Sequence, residues 1–207
     1  MGYSKKAAQE VSDFKSKYMP AGINENVTLD KVEVKVSPNG NKMFDITFVN
    51  EQGQTAVHTE WEPKMAPWMK DKSDLERNQA RQYKKMLQIL LCFYTDEQIN
   101  FEGDDFMGFA NYIAMMLNAA DKTKKLRLKL VYNKDGYTTL PTAVDEAFIE
   151  SMELGDGESY KVQINAKDVI VRPVTADKEV KNDNPFTTPE AATTAFATSN
   201  DPNELPF

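Results

Sequence analysis

Val27-Thr28-Leu29-Asp30-Lys31-Val32-Glu33-Val34-Lys35-Val36 alternates apolar and polar residues but changes phase between Leu29 and Val32. Alternation of period two predicts a strand with one buried face, and a slip of phase inside it predicts a bulge in a sharply bent strand. The turn residues Pro38-Asn39-Gly40 lead into a second alternating run, Met43 to Val49, where Phe44, Ile46 and Phe48 share one face. A further turn at Asn50 to Gly53 opens a third strand, Thr55 to Glu62. Alternating runs joined by tight turns predict a three-stranded antiparallel meander.

Beyond the meander the period lengthens. Ser73 and Glu76 have capping-box spacing, and Leu75, Tyr83, Met86, Leu87, Leu90 and Phe93 trace a helical stripe to about Tyr94. A second helix is expected from near Asp105 to Ala119, with Phe106, Phe109, Ala110, Ile113 and Leu117 on its apolar face and the pair Asp104-Asp105 as its cap. Leu126, Leu128 and Leu130 then alternate with Arg127 and Lys129, turn at Asn133 to Gly136, and return through Tyr137 to Leu140. Phe148 to Met152 reads as a short helical turn, and Tyr160, Val162 and Ile164 with Val169 to Val171 as one more hairpin. Three strands, a helical block, then two more strands is the order of an OB-fold, so the fold class expected is a mainly antiparallel β-barrel with an α-helical insertion. Residues 1–22 are expected as an arm with a helix over Ala7 to Tyr18, 23–174 as the barrel domain with its insertion at about 73–120, and 175–207 as a disordered tail.

Composition narrows the setting. With 41% hydrophobic and 28% charged residues the chain reads as soluble and globular. Its longest apolar stretch, Ile89 to Tyr94, is too short for a bilayer, and Met1 to Lys6 has no apolar signal core, so a cytoplasmic location is expected. Cys92 is the single cysteine and lies in an apolar helical run, where a buried thiol is expected. All 25 cations precede Asp183, so of the net charge of −7 the body holds −3 and the last 25 residues −4. A body near neutrality can still carry a basic face. Lys122, Lys124, Lys125, Arg127, Lys129 and Lys134 crowd into thirteen residues, and Arg77, Arg81, Lys84 and Lys85 fall along the first long helix. Either cluster, taken alone, also reads as a solvated face.

Catalytic chemistry is thin. With one histidine, His58, and one cysteine, no triad, Cys-His pair or zinc site can be assembled. His58-Thr59-Glu60 matches half of a deaminase motif without the cysteine pair that would hold the metal, and His58 reads as a strand residue. No phosphate-cradling glycine loop occurs, and no cofactor is expected. Binding chemistry is richer. Trp61, Pro63, Pro67 and Trp68 lie among Lys64, Lys70 and Lys72, interleaving flat rings with cations as unpaired bases and their phosphates require. Trp61 reads equally as core; Trp68, behind Pro67, does not. Tyr132 and Tyr137 flank a hairpin turn as further stacking candidates, although Tyr132 shares the leucines' parity, and Arg127 and Lys129 face away from the leucines toward the same groove.

The end of the chain, Asp201-Pro202-Asn203-Glu204-Leu205-Pro206-Phe207, follows a segment without Lys or Arg from Asp183 onward. Such a composition cannot offset its ordering entropy, so a mobile tether with an apolar tip is expected, a frayed terminus being the plain alternative. This ending resembles the Ile-Pro-Phe terminus of bacterial single-stranded DNA-binding proteins, and the chain resembles a bacteriophage protein of that group. Asn24-Glu25-Asn26-Val27, Leu130-Val131-Tyr132, Gly136-Tyr137 and Leu140-Pro141 add to the resemblance. It implies sequence-independent coating of single-stranded DNA during phage replication, recombination and repair, with no enzymatic activity. It also implies recruitment of a polymerase, primase or helicase through Asp201, Glu204, Leu205, Pro206 and Phe207. Two rivals stay open: a protein-interaction module gripping its partner through Trp68, Met115 and Met116, and a strand-annealing recombination protein forming rings. Self-association is likewise undecided.

Overall fold

Gly22–Val36 forms one long strand, β1, that serves two partners in turn. The computed structural model describes residues 16–173. Over Gly22 to Val27 β1 pairs antiparallel with β4 (Leu126–Tyr132), and from Thr28 to Val36 with β2 (Lys42–Val49). Two irregularities carry it from one partner to the other. The phase slip read between Leu29 and Val32 is a register shift between Leu29 and Lys31 against β2. A second shift lies between Asn24 and Val27 against β4, where Asn26 adopts φ 56°. Asparagine enters the left-handed region more readily than other side-chain-bearing residues, which suits it to this bend.

The meander continues from β2 into β3 (Thr55–Trp61), in unbroken register from Met43↔Trp61 to Val49↔Thr55. Asn50 shapes the turn between them by accepting hydrogen bonds from the backbone of Gln52 and Gln54. The helical insertion is α1 (Lys72–Leu90) and α2 (Phe106–Ala119), separated by a 3-10 turn at Asp96–Gln98. After β4 come two short strands, β5 (Thr138–Thr139) and β6 (Ile149–Ser151), each pairing with β4. The strand order is β3-β2-β1-β4-β5 with β6 also on β4, so the six-stranded sheet is antiparallel and open. The expected barrel is not closed by backbone hydrogen bonds: β3 and β5 are the ends of the strand order, joined only through side chains described below.

Phe44, Ile46 and Phe48 of β2 are fully buried, together with Leu29 and Val32 of β1 and Leu126, Leu128 and Leu130 of β4. The helix α2 buries Phe106, Phe109, Ala110, Ile113 and Leu117, the five residues of its predicted apolar face. Phe44 meets Phe106 and Phe109 at ring-centroid distances of 6.0 Å each, which locks α2 onto β2. Asp105 caps α2 by accepting from Gly108 N at 2.7 Å, as its position ahead of the apolar run suggested. At α1 the cap is Asp71, bonded to Ser73 N at 2.8 Å, and not Ser73 itself; the helix ends at Leu90, with Leu91 to Phe93 in turns.

Two other expectations change, a third changes in part, and a fourth lies outside the described residues. Phe148 to Met152 is not helical, because Ile149 pairs with Leu128 and its neighbours extend the sheet. Ile164 and Val169 to Val171 form no hairpin and are exposed, with only Val162 of that segment buried. Of the helix expected over Ala7 to Tyr18, residues up to 15 lie outside the described residues. Ser16 to Tyr18 are not helical: Lys17 is a bend and Tyr18 bridges Thr55 at the start of β3. The expected tail, 175–207, also lies outside the described residues.

One contact shows how a helix substitutes for a strand. Past Val27 β1 has left β4, and the backbone of Val32 faces α2, where Asn118 accepts from Val32 N at 2.9 Å and donates to Val32 O at 2.8 Å. Replacing Asn118 by Ala removes both partners of that residue. It is expected to lower stability by about 1 to 2 kcal/mol, read as a reduced urea midpoint at unchanged slope. An unchanged midpoint would mean that water serves Val32 equally well.

Candidate nucleic-acid interface

Alternation along β3 sends Val57, Thr59 and Trp61 outward and Ala56, His58 and Glu60 inward. Two of the inward residues are polar, and they are held by a closed set of bonds. His58 Nε2 lies 2.6 Å from Glu60 Oε1, and His58 Nδ1 lies 3.3 Å from Thr139 Oγ1 of β5. Gln82 of α1 donates to Glu60 Oε2 at 2.8 Å, and Lys85 donates to Glu60 Oε1 at 2.7 Å. A carboxylate accepting from His58 Nε2 requires the proton there. The cluster thus ties β3 to α1 and to β5.

Burial alone would raise the pKa of Glu60. The bond and charge of His58, the Lys85 ammonium and the Gln82 amide outweigh it and hold the carboxyl at about 2.

The same glutamine donates to Trp61 O at 3.0 Å. That bond fixes the last residue of β3 while its indole stays 49% exposed, so Trp61 is not core. Beside it opens a cleft of about 360 Å³, lined among others by Trp61, Asn78, Arg81, Lys85 and Thr142. The cleft therefore has an aromatic wall, two cations, neutral amide and hydroxyl groups, and the carboxylate of Glu60, which is paired with Lys85. Trp68 is 71% exposed in the loop that follows β3, where Lys64 and Lys70 are exposed as well, as is Lys72 at the first residue of α1. Lys64 bonds Asn41 at 2.8 Å, and Lys70 and Lys72 have no ion pair among the described residues. On α1, Arg77 pairs with Asp74 at 3.2 Å and Lys84 with Asp145 at 2.6 Å. Arg81 has no such partner among the described residues and faces the cleft.

The second basic cluster is largely neutralised. Lys129, expected to line the groove, is 0% exposed, its ammonium bonded to Asp168 at 2.9 Å and to Gln163 O at 3.0 Å. Lys129 is buried despite its polar parity because Glu146, Gln163 and Asp168 of the segment that follows cover the outer face of β4 there. Arg127, also expected in the groove, is engaged by Glu25 and Glu150 and lies 4.6 Å over the ring of Tyr160. Lys122 donates to Leu117 O at 2.7 Å and is half-buried, which lowers its pKa. Lys124 lies 3.8 Å from Glu153 and Lys125 3.2 Å from Glu51. Lys134 is exposed, Tyr132 half-buried and Tyr137 65% exposed at the β4–β5 turn. Cys92 is buried, its thiol pushed up to about 12 by desolvation. Asp201 and Glu204 to Phe207 lie outside the described residues.

Sequence reading missed Glu60 as the organiser of this region. The signal was there: a carboxylate in phase with Ala56 and His58, on the face that β3 turns to the core. Among the described residues no group of His, Cys, Asp or Glu is arranged to hold a metal, and no helix is long and apolar enough to cross a membrane. Compared with known proteins, the chain matches no family model and no curated relative.

Because the folded-state pKa of Glu60 lies below its ordinary 4.5, the ionised form favours folding at neutral pH. That contribution is complete above about 4.5 and fades as pH falls toward about 2. Urea midpoints measured across this window are expected to fall more steeply for the native chain than for Glu60→Gln, which should start lower at pH 7. Parallel curves would remove Glu60 from the acid response.

Proposed function

We propose that this is a sequence-independent single-stranded DNA-binding protein of the kind bacteriophages use in replication, recombination and repair. The reading rests above all on Trp61, an exposed indole fixed at the end of a strand and forming one wall of a cleft that also holds Arg81 and Lys85. A base stacked on such a ring gains about 1 to 3 kcal/mol whatever its identity, and neighbouring cations follow the phosphates. Trp68 with Lys70 and Lys72 extends the same chemistry along the loop, and Lys134 and Tyr137 offer it again at the β4–β5 turn. The element order supports an OB-fold-like relationship: a three-stranded meander, a helical insertion, then strands returning to β1. In this reading the acidic C-terminal segment recruits replication enzymes through Leu205, Pro206 and Phe207, and competes with DNA for the cations when no strand is bound.

An interaction module without nucleic acid is favoured only by exposed apolar groups such as Met115, 61% exposed on α2. Titration with oligothymidylate separates the two readings, because a module of that kind gives no salt-dependent quenching of tryptophan fluorescence. Trp61→Ala is expected to weaken binding by about tenfold to a hundredfold, in line with the loss of one stacked base. Lys70→Ala and Lys72→Ala are expected to lower the slope of log K against log salt by about 0.7 each, as for single-strand phosphate contacts. Lys129→Met should leave that slope unchanged, since its ammonium is committed to Asp168. No binding at low ionic strength would end the proposal.

A further inference from the structure

A second cavity lies on the other side of α1 from the Trp61 cleft and has the opposite electrical character. It measures about 420 Å³ and has a floor of Tyr83, Phe101, Phe106 and Phe109. The rings of Tyr83 and Phe101 each approach that of Phe109 at 5.7 Å, so the floor is a continuous aromatic surface. Its rim is Glu102, Gly103, Asp104 and Asp105. Asp105 is engaged in capping α2, whereas Glu102 and Asp104 are exposed and have no ion pair among the described residues. Pro63 and Gln82 belong to both cavities and form the wall between them.

We propose that this pocket docks a partner polypeptide through an aromatic or aliphatic side chain flanked by lysine or arginine. Apolar volume of this size suits one large side chain, and rings lining it attract a neighbouring cation through their faces. The acidic rim selects the sign. Three carboxylates within four residues repel a phosphodiester chain, so the pocket is no extension of the nucleic-acid cleft. They equally repel the chain's own segment from Asp183, which has four acids and no cation. A basic segment seated here would lie against the Pro63–Gln82 wall, next to any strand bound beside Trp61. The proposal goes beyond single-strand binding and does not depend on it.

The test uses the isotopically labelled full chain without nucleic acid, at low ionic strength. It compares the peptides acetyl-Lys-Trp-Lys-amide and acetyl-Glu-Trp-Glu-amide through the amide resonances of Gly103 and Gly108. The lysine peptide is expected to shift both saturably and to bind at least about tenfold more tightly than the glutamate peptide. The double variant Glu102→Lys with Asp104→Lys, altered only at exposed positions, should reverse that preference. Equal binding of the two peptides, or shifts confined to the Trp61 indole, would overturn the proposal. So would concentration-dependent self-association that the double variant abolishes while the peptide fails to bind, since the occupant would then be a second copy.

Discussion

Everything in this fold depends on β1 pairing with two different strands along its length. A strand of 15 residues cannot lie straight between β4 and β2 and still turn one face to a single core. The register shifts at Asn24 to Val27 and at Leu29 to Lys31 absorb the bend, and Asn26 accepts the left-handed backbone that goes with it. The bend has a cost, because it strips Val32 of a strand neighbour on one side. Asn118 meets that cost with a donor and an acceptor from α2. Helix position is thereby coupled to strand curvature, and the packing of Phe44 against Phe106 and Phe109 follows from it.

The open sheet then faces the problem of its two edges. Unpaired edges invite other strands, and here β3 is tied to β5 not by backbone pairing but by His58 and Thr139. Burying Glu60 beside them is expensive unless every oxygen is matched, and Gln82, Lys85 and His58 supply the match. Lys129 of β4 obeys the same rule, with Asp168 and the Gln163 carbonyl as its partners. Such clusters make β3, α1 and β5 one mechanical unit. Trp61 gains its fixed backbone from that unit through Gln82, so an exposed ring is positioned by a buried carboxylate.

Period and turn chemistry made most of the fold legible. The meander, the first bulge, both helices and the five buried residues of α2 can all be read from spacing, because local geometry and burial there point the same way. Reading failed where tertiary cover overrides local pattern. Residues 148–152 have too few neighbours of clear period to distinguish a turn from a three-residue strand, and only pairing with β4 decides it. Lys129 alternates as a surface residue should, yet a later segment folds over it. Charge counting suffered most, since six cations in thirteen residues suggested a basic face. Their partners, Glu25, Glu51, Glu146, Glu150, Glu153 and Asp168, come from distant parts of the sequence.

What remains available to an anion is therefore smaller than composition suggests, and it is concentrated. Arg77 and Lys84 are held only by pairs with an exposed member, worth little and easily exchanged for a phosphate, while Lys129 is not exchangeable without leaving the buried Asp168 unpaired. Among the described residues Lys70, Lys72 and Arg81 have no ion pair to exchange. Lys85 stands between these groups: it faces the cleft but is bound to Glu60, so a phosphate there would meet a half-neutralised cation. Affinity for a strand would then draw more on stacking at Trp61 than on charge. The acidic rim of the neighbouring pocket, separated only by Pro63 and Gln82, sharpens this by lowering the potential on one side of the wall. If the cleft takes a nucleic-acid chain as proposed, that rim would disfavour its running toward α2 and would leave the aromatic floor at Phe101 and Phe109 to the proposed partner of opposite charge.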